Sequence, residues 1–415
     1  MNELKIAMAL ISAATLLGYT SATQFRIQPS IAILTLSLLI VITANIIEPI
    51  TGHLAAYDQI AHIIQHAHFQ DLLMDIMLPI LLFAGAMSMN AAYFKKHQWT
   101  ILILAIVSTI ASTFLIGYGF YAVMQYLGTP MELIYCLLFG ALISPTDPVA
   151  VLGILKQAKV PRSMEIQIAG ESLFNDGIGV VAFIVLSEIA VTGHTVSAEH
   201  IGLLFVEEAV GGALFGFVIG WLTYRLLKSV DNYQVEVLLT LALVMGGYAL
   251  ASAIHISGPI AVVVAGLFIG NHGRRFAMSE TTRLHLDGFW KLTDEILNAL
   301  LFVLIGMEVL VLTFSGNLFI AGLLAIPAIL LARWVSVSIP VLVIGRWRTF
   351  IPGTISILTW GGLRGGISVA LALSLPPGRE REILLAVTYT VVIFSILVQG
   401  LTLRRVARLV VKAES

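Results

Sequence analysis

The chain has 415 residues, of which 58% are hydrophobic and 11% charged, with a formal net charge of −1 and a mean hydropathy of +0.96. Soluble domains carry about 25% charged residues and need that polar surface to cover their cores. An ordinary soluble enzyme, a disordered chain and a nucleic-acid binder working through net positive charge are therefore excluded, and a polytopic membrane protein remains.

A membrane-spanning helix needs roughly 20 mostly apolar residues. In chain order the predicted spans are 4–21, 31–47, 71–94, 99–126, 130–155, 165–192, 200–227, 234–253, 256–271, 288–312, 317–344, 350–375 and 383–403. The fold class is thus all-α, with about 13 transmembrane helices. The first span contains Lys5 and no small-residue cleavage site, so it reads as a retained helix. The longest connector, 48–70, carries His53, His62, His66 and His68 and is predicted to hold a short amphipathic helix. His62 and His66 lie four apart and share one face. A partly wet surface helix is the simple reading, and a pH-sensing or metal-binding patch is the other. The single cysteine, Cys136, excludes a disulfide framework and a cysteine-ligated metal.

Basic residues stay in cytoplasmic loops and so set orientation. Alternate connections hold Arg26; Lys95 and Lys96; Lys156, Lys159 and Arg162; Arg225 and Lys228; Arg274, Arg275 and Arg283; Arg346 and Arg348. The tail adds Arg404, Arg405, Arg408 and Lys412. That places 17 of the 23 basic residues on one side, against Lys5, Arg379 and Arg381 on the other. The N-terminus is expected outside and the C-terminus in the cytoplasm of a plasma (inner) membrane.

An ionisable group at bilayer depth costs at least about 2.5–3.5 kcal/mol and marks function by default. Asp147, Glu171, Asp176, Arg333 and Arg364 are such groups. Asp75, Glu188, Glu207, Glu208, Glu295 and Glu308 lie in or near spans and are expected to be paired or interfacial.

Residues 140–152 read GALISPTDPVAVL. Pro145 and Pro148 remove backbone donors on either side of Thr146 and Asp147, so the helix should unwind there. Unwinding frees carbonyl oxygens, and a broken helix is tolerated in lipid only where it lines a cavity. A carboxylate with freed carbonyls is hard-oxygen chemistry suited to an alkali cation. Residues 170–179 read GESLFNDGIG. Ser172 and Asp176 are four apart, as are Glu171 and Asn175. A buried carboxylate must be paired, protonated or ion-bound, and one that alternates between proton and cation meets this rule in every state. Residues 359–370 read TWGGLRGGISVA, where four glycines in six residues weaken the helix around Arg364. Two breaks seven spans apart predict two inverted six-helix repeats with crossing discontinuous helices.

These stretches, with SGPIAVVVAGLFIG at 257–270 and NALLFVLIGMEV at 298–309, resemble the monovalent cation/proton antiporters of the NhaP and NHE type. The resemblance runs from about residue 78 to residue 391. It implies an NhaA/NhaP-like fold, no cofactor and a homodimer. Asp176 is then the acid that binds cation or proton. Thr146 and Asp147 form the unwound part of the site, Ser172 is a further ligand, and Asn175 marks the electroneutral branch. Na⁺ would sit at Asp176, Ser172, Thr146 and Asp147. Glu171 and Arg333 would be the family's structural ion pair, and Arg364 would compensate charge at the crossing. Two departures stand out. Ala84 follows LPILLF where relatives carry an acid, and the chain stops at Ser415 without a long regulatory tail.

The whole chain, 1–415, thus reads as one transmembrane antiporter domain without a soluble regulatory part. A core bundle is expected over about 71–192 and 288–403, and scaffold helices over about 1–50 and 200–271. The expected function is secondary exchange of Na⁺ (or Li⁺) for H⁺, electroneutral at 1:1, serving pH and sodium homeostasis. The partners are monovalent cations, protons and the bilayer, with no nucleic acid. K⁺/H⁺ exchange is the nearest rival. An intramembrane aspartyl protease using Asp147 and Asp176, and a cation channel, are remoter ones.

Overall fold

In a computed structural model, residues 3–20, 29–51, 69–89, 91–158, 160–192, 198–309, 316–348 and 350–412 are described. Within them the regular structure is helical throughout, as it must be where lipid offers no partner to a backbone N–H or C=O. We number the helices α1 (Glu3–Thr20) and α2 (Pro29–Thr51). Helix α3 joins Phe69–Asp71, a π-helical turn Leu72–Met77 and Leu78–Ser88. Helix α4 joins Ala91–Ile103, a π turn Leu104–Ser108 and Thr109–Tyr126. There follow α5 (Leu133–Ile143), α6 (Pro148–Ala158), α7 (Arg162–Thr192), α8 (Ala198–Leu227), α9 (Tyr233–Ala253) and α10 (Gly258–Phe268). The last are α11 (Glu280–Glu308), α12 (Gly316–Ile344), α13 (Thr354–Trp360) and α14 (Gly366–Leu373). Helix α15 runs through Arg379–Phe394, a π turn Ser395–Gly400 and Leu401–Lys412.

Among the described residues, 6 helices are long and apolar enough to cross a membrane unaided. Shorter apolar helices complete the apolar layer, including α5, whose chain path continues through α6. The span expected at 71–94 ends earlier. Met89 takes extended backbone (φ −74, ψ 132), which closes α3, and Ala91 already opens α4. Lys95 and Lys96 therefore sit in the first turns of the fourth helix. The histidine connector, His53 to His68, lies outside the described residues.

Helix α4 packs most closely on α5, α7 and α12, and α12 on α15. A second set of close contacts links α3 with α10 and α11, α8 with α9 and α10, and α2 with α11. The largest buried apolar cluster contains Phe139, Phe302, Leu304, Leu363 and Tyr389, and so fills the space around both interrupted helices.

The two interruptions meet. Between α5 and α6 the backbone is non-helical at 145–147, and between α13 and α14 at 362–365. The N–H of Asp147 donates to the carbonyl of Leu363 at 2.7 Å, so each break satisfies part of the other.

Candidate ion-translocation site

Helix α7 runs past the α5–α6 break, and Gly179 lets it come close. A Cβ there would stand 2.3 Å from Cγ of Pro145. Four consecutive-turn residues of α7 thereby face the unwound segment, and they do different things.

Glu171 is 1% exposed and accepts a bidentate pair from Arg333 of α12, Nη1 to Oε1 and Nη2 to Oε2, both at 2.9 Å. Fork-to-fork geometry of this kind is the strongest a carboxylate and guanidinium can adopt. Nδ2 of Asn175, one turn on, also donates to Glu171 Oε1 (3.0 Å) and to Thr146 Oγ1 (2.8 Å). Oδ1 of the same amide accepts from the backbone N–H of Thr146 at 3.2 Å. Asn175 therefore clamps the break to the ion pair with both ends of its side chain. The hydroxyls of Thr146 and Ser172 share a hydrogen bond of 3.0 Å.

Asp176 is different. It is 5% exposed, and its Oδ1 has no hydrogen-bond partner. It lines a cavity of about 600 Å³ together with Pro145, Thr146, Asp147 and Pro148. The charges closest in effect to Asp176 are Asp147 and Glu171, both negative. A buried carboxylate oxygen without a donor is costly unless something from outside completes it.

Arg364 enters from the α13–α14 break. Its Nη1 donates to the carbonyls of Ser144 (2.5 Å) and Pro145 (3.1 Å), and its backbone N–H donates to Oγ of Ser395 on α15 (2.9 Å). The carbonyls of Ser144 and Pro145, freed by the prolines, are thus held by a guanidinium. Gly365 allows this crossing, since a Cβ there would come within 2.8 Å of the Asp147 side chain.

With this geometry in place, comparison with known proteins is decisive. Residues 11–409 match the family model described as sodium/hydrogen exchanger, transmembrane. The chain belongs to the sodium/hydrogen exchanger family. That is a family of exchangers and not of enzymes, and its members need no prosthetic group for transport. The chain is 47% identical over 410 residues to the Na⁺/H⁺ antiporter NhaP of Pseudomonas aeruginosa, covering 98% of this chain and 96% of that one. It is 36% identical to the Na⁺/H⁺ antiporter NhaH of Halobacillus aidingensis, covering 84% and 85%. The solved structure of the sodium/proton antiporter MjNhaP1 of Methanocaldococcus jannaschii superposes with a TM-score of 0.77 over 98% of this chain and 99% of that one, at 20% identity. The fold of that antiporter is therefore shared over 98% of this chain.

Of the residues singled out by sequence, Asp176, Asp147 and Thr146 reach the cavity of this exchanger. Ser172, Asn175, Glu171, Arg333 and Arg364 form the polar support behind it. The cavity is also lined by Asp294 of α11, which sequence reasoning passed over, and by Asn298, which it read only as the start of the motif at 298–309. The missed signal was periodic: Asp287, Lys291, Asp294 and Asn298 recur at helical spacing along one face.

Proposed function

We propose that this protein is a secondary antiporter exchanging Na⁺, or Li⁺, for H⁺ at Asp176. The reading draws on the two Na⁺/H⁺ antiporters it is similar to. One observation carries it: Asp176 lines the cavity with a carboxylate whose buried Oδ1 has no partner, while its neighbour Glu171 is fully occupied by Arg333. A proton or a cation completes that oxygen, and the two cannot do so together. Competition for one negative site is the coupling.

The charge balance supports 1:1 exchange. Arg333 and Arg364 offset two of the three acids around the crossing, Glu171, Asp147 and Asp176. One carboxylate's worth of charge remains, and either cargo neutralises it. The loaded and the protonated carrier then bear equal charge, so exchange is electroneutral. Thr146, Asp147 and Ser172 act as further oxygen ligands in this reading, and Asn175 positions Thr146.

Alternating access follows if two packing groups move against each other. The core is α4 to α7 with α12 to α15, and the scaffold is α1 to α3 with α8 to α11. This division gives α3 and α11 to the scaffold, since each packs mainly on scaffold helices. Thirteen spans arranged as two inverted halves, N-terminus outside and C-terminus cytoplasmic, place the cavity mouth with Lys156 and Arg274 on the cytoplasmic side. A homodimer in the plasma membrane of a prokaryote and a role in pH and sodium homeostasis complete the reading.

Proteoliposomes loaded with a pH dye test it. Na⁺ and Li⁺ gradients should drive proton movement, K⁺ and Rb⁺ far less, and Asp176→Ala should abolish the signal. Robust Na⁺-driven proton movement by Asp176→Ala would overturn the site. A K⁺ response exceeding the Na⁺ response would replace the substrate. With the membrane potential clamped at different values, an unchanged rate supports electroneutrality and a steep dependence refutes it.

A further inference from the structure

Helix α11 faces the cavity with a polar stripe of Asp287, Lys291, Asp294 and Asn298. At 1.5 Å per residue the stripe extends about 16 Å along the helix axis. At its outer end Asp287 is bonded to Arg274. Lys291 is exposed and stands 4.0 Å from Glu295, which is itself exposed. Asp294 has no basic side chain within ion-pair distance among the described residues. Its partner is Asn298, 5% exposed, whose amide donates to both the backbone carbonyl (2.8 Å) and the carboxylate Oδ1 (3.0 Å) of Asp294. Those two hydrogen bonds fix the orientation of the carboxylate. Asp147 lines the same cavity as Asp294. The α3 wall contributes no charge at all, and Ala84 is part of it.

Carboxylates that line one cavity repel each other, and a cation among them relieves that repulsion. Asp176, whose buried Oδ1 has no partner, lines the same space. We infer that Asp294, oriented by Asn298, is a second cation site of the cavity. It receives a hydrated alkali cation from the mouth and hands it to Asp176. The inference rests on the exchange reading above. It adds a scaffold residue to a site otherwise built from core helices.

The test uses the full-length protein in proteoliposomes, with NaCl titrated on the side of the cavity mouth. Asp294→Asn keeps the shape and the Asn298 contact but removes the charge. Its apparent KM for Na⁺ should rise about tenfold while the maximal rate falls less than about threefold, since only an approach site is lost. Asp294→Glu should restore KM to within about threefold, and Glu295→Gln, which removes a charge one residue away, should shift it less than about twofold. Asn298→Ala, which frees the carboxylate without removing it, should raise KM by a smaller factor than Asp294→Asn and serves if the latter does not assemble. An unchanged KM in Asp294→Asn, or equal damage by Asn and Glu at this position, would overturn the inference. Absence of Na⁺-driven exchange in the unaltered protein would instead overturn the exchange reading beneath it.

Discussion

At the break between α5 and α6 the sequence removes backbone donors, through Pro145 and Pro148. At the break between α13 and α14 it removes side chains, through Gly361, Gly362, Gly365 and Gly366. The proline break leaves carbonyls without N–H partners and sets Thr146 and Asp147 at the cavity. The glycine break lets two backbones cross at hydrogen-bond distance and brings in Arg364. One break creates a need for positive charge, and the other supplies it. The two are halves of a single device, and carbonyls that could have met a cation are already met by a guanidinium. The transported ion is then left to other oxygens, above all the Asp176 carboxylate, whose buried Oδ1 has no partner.

The largest effect should come from taking the supply away. Arg364→Met would leave the Ser144 and Pro145 carbonyls buried without their donor. With hydrogen bonds to a charged group at about 1.5–3 kcal/mol each, the loss is about 3–6 kcal/mol. Thermal unfolding in detergent should show it, and added Na⁺ should not restore it. Restoration by Na⁺ would mean that those carbonyls bind the cation, and the comparison would fail. Next comes Glu171→Gln, which strands the Arg333 charge at a cost of about 3–5 kcal/mol. The double variant Glu171→Gln with Arg333→Gln should be less damaging than the two effects summed, because the charge is then removed along with its partner. Gly365→Ala tests the crossing itself. Its Cβ would stand 2.8 Å from the Asp147 side chain, and overpacking of that size costs about 1–3 kcal/mol. Exchange should suffer more than stability, since Asp147 must move off the cavity wall. Pro148→Ala should do least. Proline at the first position of α6 fits the helix, and its loss should change stability by less than about 1 kcal/mol.

Both breaks were legible in sequence because proline and glycine act locally. Pro145 and Pro148 cannot donate, and the four glycines of 361–366 weaken a helix, whatever surrounds them. Charge at bilayer depth was legible for the same reason: Glu171, Asp176, Arg333 and Arg364 interrupt apolar runs. What opposes what across a cavity was not. The use of the Ser144 and Pro145 carbonyls depends on residue 364, more than 200 positions away, and no periodicity reports it. Asp294 escaped because α11 is amphipathic along its first turns, and one more acid on a polar face is unremarkable until it is known to share a cavity with Asp147. The early end of α3 at Ser88 was missed because the polar run that follows it opens the next helix.

The central claim is that one carboxylate takes either one cation or one proton. Its most direct test is to add Na⁺ to the purified protein in weakly buffered detergent solution, measuring bound Na⁺ and released H⁺ together. With the carboxylate protonated at the start, the account predicts one proton released for each Na⁺ whose binding is lost in Asp176→Asn, and no release from that variant. Na⁺ binding without proton release from the unaltered protein, or undiminished release from Asp176→Asn, would contradict it.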